Sequence, residues 1–168
     1  MNNEITLRNA TLEDLKAIVN IFNKAIEVMN DNGIYQWDCI YPNEEILLKD
    51  ILNNQMFVGE IDNQIASLFV LNQECDVEYK NGDWQYKESA FYVVHRLCVN
   101  PVYQGKGVGR MTMQLIEKNV RNNAIETIRL DAFSLNLIAL RMYEKLGYKR
   151  VGEVTWRKGL FYLFEKRI

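Results

Sequence analysis

The sequence contains three cysteines, one histidine and no long hydrophobic run. Cys39, Cys75 and Cys98 are odd in number, irregularly spaced and form no Cys-x-x-Cys pair. This argues against a disulfide or zinc framework and favours reduced thiols in the cytoplasm. A single histidine argues against a histidine-based metal site, so no metal is expected. No apolar segment approaches the roughly 20 residues that span a membrane, and the N-terminal residues lack a signal-peptide pattern.

An excess of charge of one sign is also lacking. The 20 Lys and Arg residues nearly balance the 22 Asp and Glu residues, for a formal net charge of -2. The pI near 5.5 gives no indication of a nucleic-acid or other polyanionic partner. The 168 residues, 48% of them hydrophobic, suit one domain over residues 1–168 with a substantial core. There is no internal repeat, low-complexity tract or linker.

The most informative stretch is residues 93–115, which combines an apolar run, a glycine-rich turn and a helical pattern. The apolar run predicts a buried strand that stops at Asn100-Pro101, and apolar residues recur at helical spacing from Val108. The turn between them contains Gly105, Gly107 and Gly109. Glycines let a backbone turn tightly and approach a ligand. A strand that leads through such a turn into a helix N-terminus predicts an anion site, because the first-turn N–H groups and the helix dipole point at it.

Three phosphate-binding patterns compete for this turn. A nucleotide-triphosphatase loop needs Ser or Thr after Gly-Lys, but Gly105-Lys106 is followed by Gly107. A dinucleotide fingerprint needs Gly-x-Gly-x-x-Gly near the start of a βαβ unit, whereas these glycines lie late in the chain and are spaced differently. The third pattern, Gln/Arg-x-x-Gly-x-Gly/Ala, is matched at every position by residues 104–109, which read QGKGVG. A turn that serves only chain reversal is the remaining alternative.

A second motif follows at residues 136–148, with the form Asn-x-x-Ala-x-x-x-Tyr-x-x-x-Gly-Tyr. Asn136 can sit in the first turn of a helix, Tyr143 lies two turns further on, and Gly147 is placed to end the helix in a left-handed conformation. The two motifs, in this order and separated by one predicted strand, resemble the signatures of the GNAT superfamily of N-acyltransferases. In that family the first motif is the coenzyme A pyrophosphate loop.

The order of elements along nearly the whole chain is similar to the GNAT fold. The patterns predict β-α-α-β-β-β-α-β-α-β-β, an α/β fold with a mixed central β-sheet flanked by helices. The first helix is expected to be capped by Thr11-x-x-Asp14 and to bury Leu12 on its apolar face. Residues 72–89 are interpreted as an extended hairpin connection. The resemblance implies that the cofactor binds where the strands of Val93 and Thr127 splay apart.

The resemblance implies transfer of an acetyl group from acetyl-CoA to a primary amine by direct attack in a ternary complex. A lysine-like amine of pKa about 10.4 is neutral in about one molecule in 2,500 at pH 7, a cost of about 4.6 kcal/mol. A positioned general base typically contributes about 10²- to 10⁴-fold. The leaving thiolate, of pKa near 8.5, is helped by a positioned acid. The site therefore needs a base, an acid and a group that polarises the thioester carbonyl.

Tyr143 is the candidate acid, because the motif tyrosine of the family faces the coenzyme sulfur; cofactor packing alone is the alternative. Counted back from the loop, His95 falls where arylalkylamine N-acetyltransferases carry a strand histidine. Val93 falls where histone-type members carry a glutamate base, which leaves His95 as the strand's base or water relay. Its ordinary pKa near 6.5 suits neutral pH; a purely structural histidine is the alternative. Arg96, on the opposite face, is expected to be structural.

The resemblance also implies the cofactor contacts. A backbone N–H near Cys98 or Val99 would polarise the carbonyl, which makes Cys98 a core side chain rather than a nucleophile. Lys106 could instead be solvated, and Ser134 could cap the following helix. The expected cofactor-binding residues are Leu97, Cys98, Val99, Gln104, Gly105, Lys106, Gly107, Val108, Gly109, Arg110, Ser134, Asn136, Ala139 and Tyr143.

Acceptor recognition is less determined. Tyr35, Trp37, Asp38 and Trp84 are the candidate acceptor contacts, with packing as the alternative for the aromatic residues. An aromatic pocket favours a small amine or an amino acid. The alternatives are a protein or peptide N-terminal acetyltransferase, for which residues 74–78 offer acidic side chains, and a sensor that binds acyl-CoA without turnover. A monomer and a homodimer are both compatible with the sequence.

Overall fold

The structure is a computed structural model that describes residues 4–168. Its elements follow the predicted order. The helices are α1 (Leu15–Asp31), α2 (Glu44–Leu52), α3 (Val108–Asn122) and α4 (Leu137–Lys145). The strands are β1 (Thr6–Asn9), β2 (Met56–Ile61), β3 (Gln64–Asn72), β4 (Phe91–Val99), β5 (Thr127–Phe133), β6 (Lys149–Trp156) and β7 (Gly159–Arg167).

The strands form a seven-stranded sheet in the order β1-β2-β3-β4-β5-β7-β6. The pairs β1–β2, β2–β3, β5–β7 and β6–β7 are antiparallel, and β4–β5 is parallel. The parallel pair is joined through α3, as a parallel connection requires. The predicted α/β class with a mixed sheet and flanking helices is therefore confirmed.

The chain divides into two compact units. One comprises the described residues up to Leu71 with Arg96–Leu115, and the other comprises Asn72–His95 with Ile116–Ile168. Both β4 and α3 contribute residues to each unit.

The core of the first unit is built on the apolar face of α1. This face buries Ile18, Ile21, Phe22 and Ala25, which pack in one cluster with side chains of α2, β2 and β3. The prediction that Leu12 joins this face is wrong. Leu12 is 58% exposed, because a 3₁₀ turn at Leu12–Asp14 precedes the α-helix and rotates it out of register.

The expected capping box is present, but it caps the 3₁₀ turn at Leu12–Asp14 that leads into α1, and not α1 itself. The Thr11 backbone N–H donates to Asp14 Oδ2 at 2.7 Å, and the Thr11 hydroxyl lies 3.1 Å from the same oxygen. Asp14 also pairs with Arg8 at 2.7 Å. The capping box predicted from Thr11 and Asp14 therefore fixes the chain at the entrance to α1.

In the second unit, the segment between β3 and β4 differs from the extended connection that was predicted. It contains a 3₁₀ turn at Val77–Asn81, and it buries the side chains of Tyr79 and Trp84. The two rings stack at 5.5 Å, and Trp84 Nε1–H donates to the Tyr79 carbonyl at 2.7 Å. This packed segment, residues 73–90, is called the β3–β4 excursion below. Its aromatic residues have no periodicity, so the sequence pattern did not indicate their burial.

The parallel pairing of β4 with β5 covers four residue pairs, from Phe91↔Thr127 to Val94↔Leu130. Both strands continue beyond the last of these pairs, and β5 remains paired with β7 as far as Phe133↔Phe161. His95 and Asp131 are thus the first residues beyond the last β4–β5 pair on their respective strands.

Candidate functional site

The glycine-rich loop connects the end of β4 to the start of α3 in the first unit. A 3₁₀ turn at Pro101–Tyr103 follows the strand, and α3 begins at Val108. Gly105 and Gly107 have φ angles of 74° and 78°, in the left-handed region that glycine adopts without steric cost. A Cβ added at either position would meet no atom within 4 Å. The backbone conformation requires these glycines, and the space beside them is open to a ligand.

The N-terminus of α3 supplies the predicted anion-binding groups. The Met111 N–H donates to the Gly107 carbonyl at 3.0 Å, which begins the i→i−4 ladder of the helix. The N–H groups of the first turn precede this ladder and have no acceptor within the helix. With the positive end of the helix dipole, they can hold a phosphate.

Two of the polar side chains around the loop bind neighbouring backbone carbonyls, and a third is exposed. Lys106 Nζ donates to the Val102 carbonyl at 2.9 Å and lies 5.4 Å from the Tyr103 ring centroid, so in this conformation it binds the loop itself. Gln104 Nε2 donates to the Val99 carbonyl at 3.4 Å. Arg110 is exposed in the first turn of α3, where its charge can meet an anion.

Cys98 is part of the core, as expected. Its side chain lies in the hydrophobic cluster with α1 and α2, whereas Leu97 and Val99 are half-buried. Burial raises the pKa of the Cys98 thiol to about 12. Since the thiolate is the nucleophilic form, this favours packing over covalent catalysis.

The second motif folds as the sequence predicted. Asn136 is the N-cap of α4, and its Oδ1 accepts a hydrogen bond from the Ala139 N–H at 3.2 Å. Gly147, with φ of 89°, follows the end of the helix. The alternative in which Ser134 caps this helix is wrong, since Asn136 fills that position. The Ser134 N–H instead donates to the Leu160 carbonyl at 2.9 Å.

Tyr143 is 6% exposed and lies on the buried face of α4. Its ring makes an edge contact with Tyr148 at 5.8 Å and a tilted contact with Phe164 at 6.0 Å. Burial, followed by the charge of Asp131, raises the pKa of Tyr143 well above its usual value near 10. The phenol is therefore protonated at neutral pH, so that it has a hydrogen to donate.

The Nε2 nitrogen of the His95 ring lies within hydrogen-bond distance of two oxygen atoms. Nε2 lies 3.0 Å from Asn72 Oδ1 and 3.1 Å from the Glu74 carbonyl oxygen. Asn72 Oδ1 also accepts from the Glu74 N–H at 3.0 Å. Because both partners of Nε2 are acceptors, Nε2 carries the hydrogen, and in the neutral ring the lone pair that can take a proton lies on Nδ1.

Asp131 was not among the site residues predicted from the sequence. Asp131 is half-exposed on β5, and its Oδ2 accepts from the Tyr79 hydroxyl at 2.8 Å. Tyr79 lies 52 residues away on the β3–β4 excursion. The available signal was a carboxylate inside a strand that is otherwise mostly apolar and leads directly into the second motif.

The candidate acceptor contacts divide into exposed and buried groups. Trp37 is 7% exposed and packs on Phe22 at 5.4 Å, and Trp84 is 8% exposed. Asp38 Oδ1 accepts from the backbone N–H groups of the next turn at 3.0 and 3.2 Å. Tyr35 is 59% exposed. The acceptor roles of all four residues stay predictions. The burial of Trp37 and Trp84 counts against an acceptor role for the two tryptophans.

Within residues 4–168, no group of three or more His, Cys, Asp or Glu side chains is placed to hold a metal ion. The same part of the chain has no helix that combines the length and the apolar character needed to cross a membrane.

Two curated relatives align with almost the whole chain. An uncharacterised N-acetyltransferase of Bacillus subtilis (strain 168), YesJ, is 26% identical over 95% of this chain and 88% of its own length. The S-(2-succino)cysteine N-acetyltransferase of the same organism is 23% identical over 95% of this chain and 93% of its own length.

Solved structures share the fold. A GNAT-family acetyltransferase of Streptococcus agalactiae superposes with a TM-score of 0.86 at 21% identity, over 98% of this chain and 95% of that one. The PaiA N-acetyltransferase of Thermoplasma acidophilum, solved in complex with coenzyme A, gives a TM-score of 0.70 at 19% identity, over 98% and 99%. The model of the acetyltransferase (GNAT) family matches residues 22–148, about three quarters of the sequence. The chain therefore belongs to the GNAT family and is an N-acetyltransferase.

Proposed function

We propose that the protein, as a single GNAT domain, transfers the acetyl group of acetyl-CoA to the primary amine of a small amine or amino acid by direct attack in a ternary complex. The observation that carries the proposal is that the second unit contains both a proton acceptor and a hydrogen-bond donor on the two motif-linked elements. His95 has a fixed N–H on one ring nitrogen and a lone pair on the other. Tyr143 is a buried phenol that keeps its proton.

Coenzyme A fits the loop at residues 104–109. Open space beside Gly105 and Gly107, together with the first-turn N–H groups of α3, suits a pyrophosphate, and Arg110 adds a positive charge. We assign the pantetheine arm to the backbone of residues 97–99 and to Ser134, Asn136 and Ala139. The PaiA N-acetyltransferase, which shares this fold and was solved with coenzyme A bound, supports a coenzyme A site. Bound acetyl-CoA supplies the thioester that makes the acetyl group transferable.

His95 Nδ1 takes a proton from the acceptor ammonium, directly or through a water. A backbone N–H in the segment 97–99 stabilises the negative charge that develops on the carbonyl oxygen. The raised pKa makes Tyr143 a weaker acid than the departing thiol, whose ordinary pKa is about 8.5. Tyr143 therefore stabilises the departing sulfur by donating a hydrogen bond. The amine nitrogen bonds to the thioester carbon as the carbon–sulfur bond breaks. The second proton of that nitrogen reaches the thiolate through solvent, and the proton taken by His95 is released to solvent.

A small cationic acceptor is supported by two further observations. The half-exposed Asp131 carboxylate lies one residue beyond the last β4–β5 pair, as His95 does, and attracts an ammonium group. The relative that acts on S-(2-succino)cysteine takes an amino-acid derivative as its acceptor, as its name states. A protein or peptide N-terminus is the alternative acceptor, and a non-catalytic acyl-CoA sensor is the alternative function.

Release of free thiol from acetyl-CoA, measured with a panel of polyamines, amino acids, aryl amines and N-terminal peptides, tests the proposal. Cys39 and Cys75 are exposed to the thiol reagent of the assay, so the parent protein carries Cys39→Ser and Cys75→Ser. We expect acceptor-dependent release well above hydrolysis, strongest with a small amine or amino acid.

His95→Gln is the matched variant for the base. Glutamine keeps an N–H donor for Asn72 but has no group that titrates near neutral pH. We expect turnover to fall about 10²-fold or more and the acidic limb of the pH–rate profile to disappear. An unchanged profile would contradict the role of His95, and binding of acetyl-CoA without any turnover across the panel would favour the sensor.

A further inference from the structure

Arg96, directly after His95, has a left-handed backbone in the middle of a strand. Its φ is 52°, a conformation that non-glycine residues rarely adopt. The other non-glycine residues with positive φ in the described chain all lie in turns: Asn54, Asp62, Asn63 and Ala124. Such strain persists only where the surroundings enforce it, and it concentrates at functional sites.

The side chain of Arg96 is held by two groups from other parts of the first unit. Nη2 lies 2.7 Å from Asp50 Oδ1 and 2.6 Å from Asp50 Oδ2 on α2. Nη1 donates to the Tyr41 hydroxyl at 2.7 Å, and the guanidinium carbon lies 5.6 Å from the Tyr41 ring centroid. The side chains of Arg96 and Asp50 are only 12% and 9% exposed. These three residues are called the Arg96 clamp below.

Stability alone does not account for the clamp. A buried ion pair pays a desolvation penalty that often cancels its attraction, so apolar residues of similar volume serve a core at least as well. A glycine would remove the backbone strain. The chain instead has a strained arginine whose long side chain reaches a carboxylate on another element. This combination fixes one backbone conformation at the cost of strain and desolvation.

We propose that the Arg96 clamp is a positioning device that holds β4 in its left-handed conformation immediately after His95 and so sets the direction of the catalytic imidazole. One peptide group links His95 to Arg96. A change of φ at Arg96 therefore reorients the His95 carbonyl and shifts the part of β4 that carries the imidazole ring of His95. Asn72 and Glu74 hold the ring through Nε2. The clamp holds the backbone of the residue that follows His95 in the chain. The catalytic consequence rests on the proposed role of His95.

Two double variants separate the backbone from the charge pair. Both carry Asp50→Asn, so that no buried carboxylate loses its partner. One adds Arg96→Gly, which keeps the left-handed conformation accessible, and the other adds Arg96→Ala, which disfavours it by about 5- to 30-fold in population. We expect the alanine variant to have a turnover number at least 5-fold below that of the glycine variant, with a similar KM for acetyl-CoA.

His95 is the only histidine of the sequence, so its ring proton resonances can be followed in untagged protein without substrate. We expect the glycine variant to retain the wild-type resonances more closely than the alanine variant. Equal resonances in all three proteins would overturn the proposal. A resonance difference with full activity of His95→Gln would keep the clamp and reject the base. If neither double variant folds, Tyr41→Phe replaces them, and His95 resonances identical to wild type would then overturn the proposal.

Discussion

Tyr143 offers a test in which one oxygen atom is removed from an otherwise retained ring. Tyr143→Phe preserves the packing against Tyr148 and Phe164, because those contacts involve the ring. We expect turnover to fall by about 10²-fold with little change in the KM for acetyl-CoA, since the hydroxyl is assigned to the departing sulfur. A loss of less than threefold would leave Tyr143 as cofactor packing.

The same variant has a signature in stability. The pKa of Tyr143 is raised in the folded state, so the folded protein keeps this proton at a pH where the unfolded chain loses it. The contribution of this group to the free energy of unfolding is fully present below about pH 10. As the pH rises further, this contribution falls by up to about 1.4 kcal/mol per pH unit. Urea unfolding at pH 8 and pH 10.5 should show a smaller alkaline loss for Tyr143→Phe than for wild type.

Single residues differ in how far the sequence determines their surroundings. His95 and Tyr143 were identified by their spacing from two motifs, which fixes their place on a strand and a helix. The hydrogen bond between Tyr79 and Asp131 joins residues 52 positions apart, and no local pattern reports such a contact. The Arg96 clamp was missed for the same reason, although Arg96 itself was expected to be structural.

At the scale of elements, the loop before α3 allows a matched pair of glycine substitutions. Gly107 and Gly33 have φ angles of 78° and 72°, and a Cβ at either position meets no atom within 4 Å. Alanine at either site should therefore destabilise the fold by a similar amount, about 1–2 kcal/mol from backbone strain. Only Gly107→Ala should weaken binding of coenzyme A, because only Gly107 belongs to the proposed pyrophosphate loop.

Calorimetry with coenzyme A, alongside urea unfolding of both variants, measures the two effects separately. We expect at least a tenfold weaker affinity for Gly107→Ala and a wild-type affinity for Gly33→Ala. Equal affinities would show that the left-handed glycine of the loop is needed for chain reversal alone.

The elements themselves were largely predictable. The stop at Asn100-Pro101, the helical spacing from Val108 and the second motif predicted a strand and two helices close to those observed. The β3–β4 excursion was not predictable, because its buried aromatic residues are isolated in a polar sequence and depend on contacts with β5 and β7. The excursion is held by contacts with residues far away in the chain. One of them is the hydrogen bond that the Gln85 backbone N–H donates to Glu165 Oε2 at 2.8 Å.

At the scale of the whole molecule, cofactor binding should appear as added stability. A ligand that binds only the folded state stabilises it by about 2.7 kcal/mol at one hundred times its Kd. For a protein of this size that corresponds to a rise in Tm of about 5–10 °C. We expect this shift with coenzyme A and with acetyl-CoA, whether the protein is a catalyst or a sensor.

Pantetheine is the matched control ligand, since it has the thiol arm of coenzyme A without the nucleotide and its pyrophosphate. The loop at residues 104–109 and the N-terminus of α3 are proposed to hold the pyrophosphate, so pantetheine at the same concentration should raise Tm far less. The difference should shrink as salt increases, because part of the attraction is between Arg110 or the helix dipole and the phosphates. A salt-independent shift that is equal for both ligands would place the binding energy in the pantetheine arm and remove the loop from the proposed site.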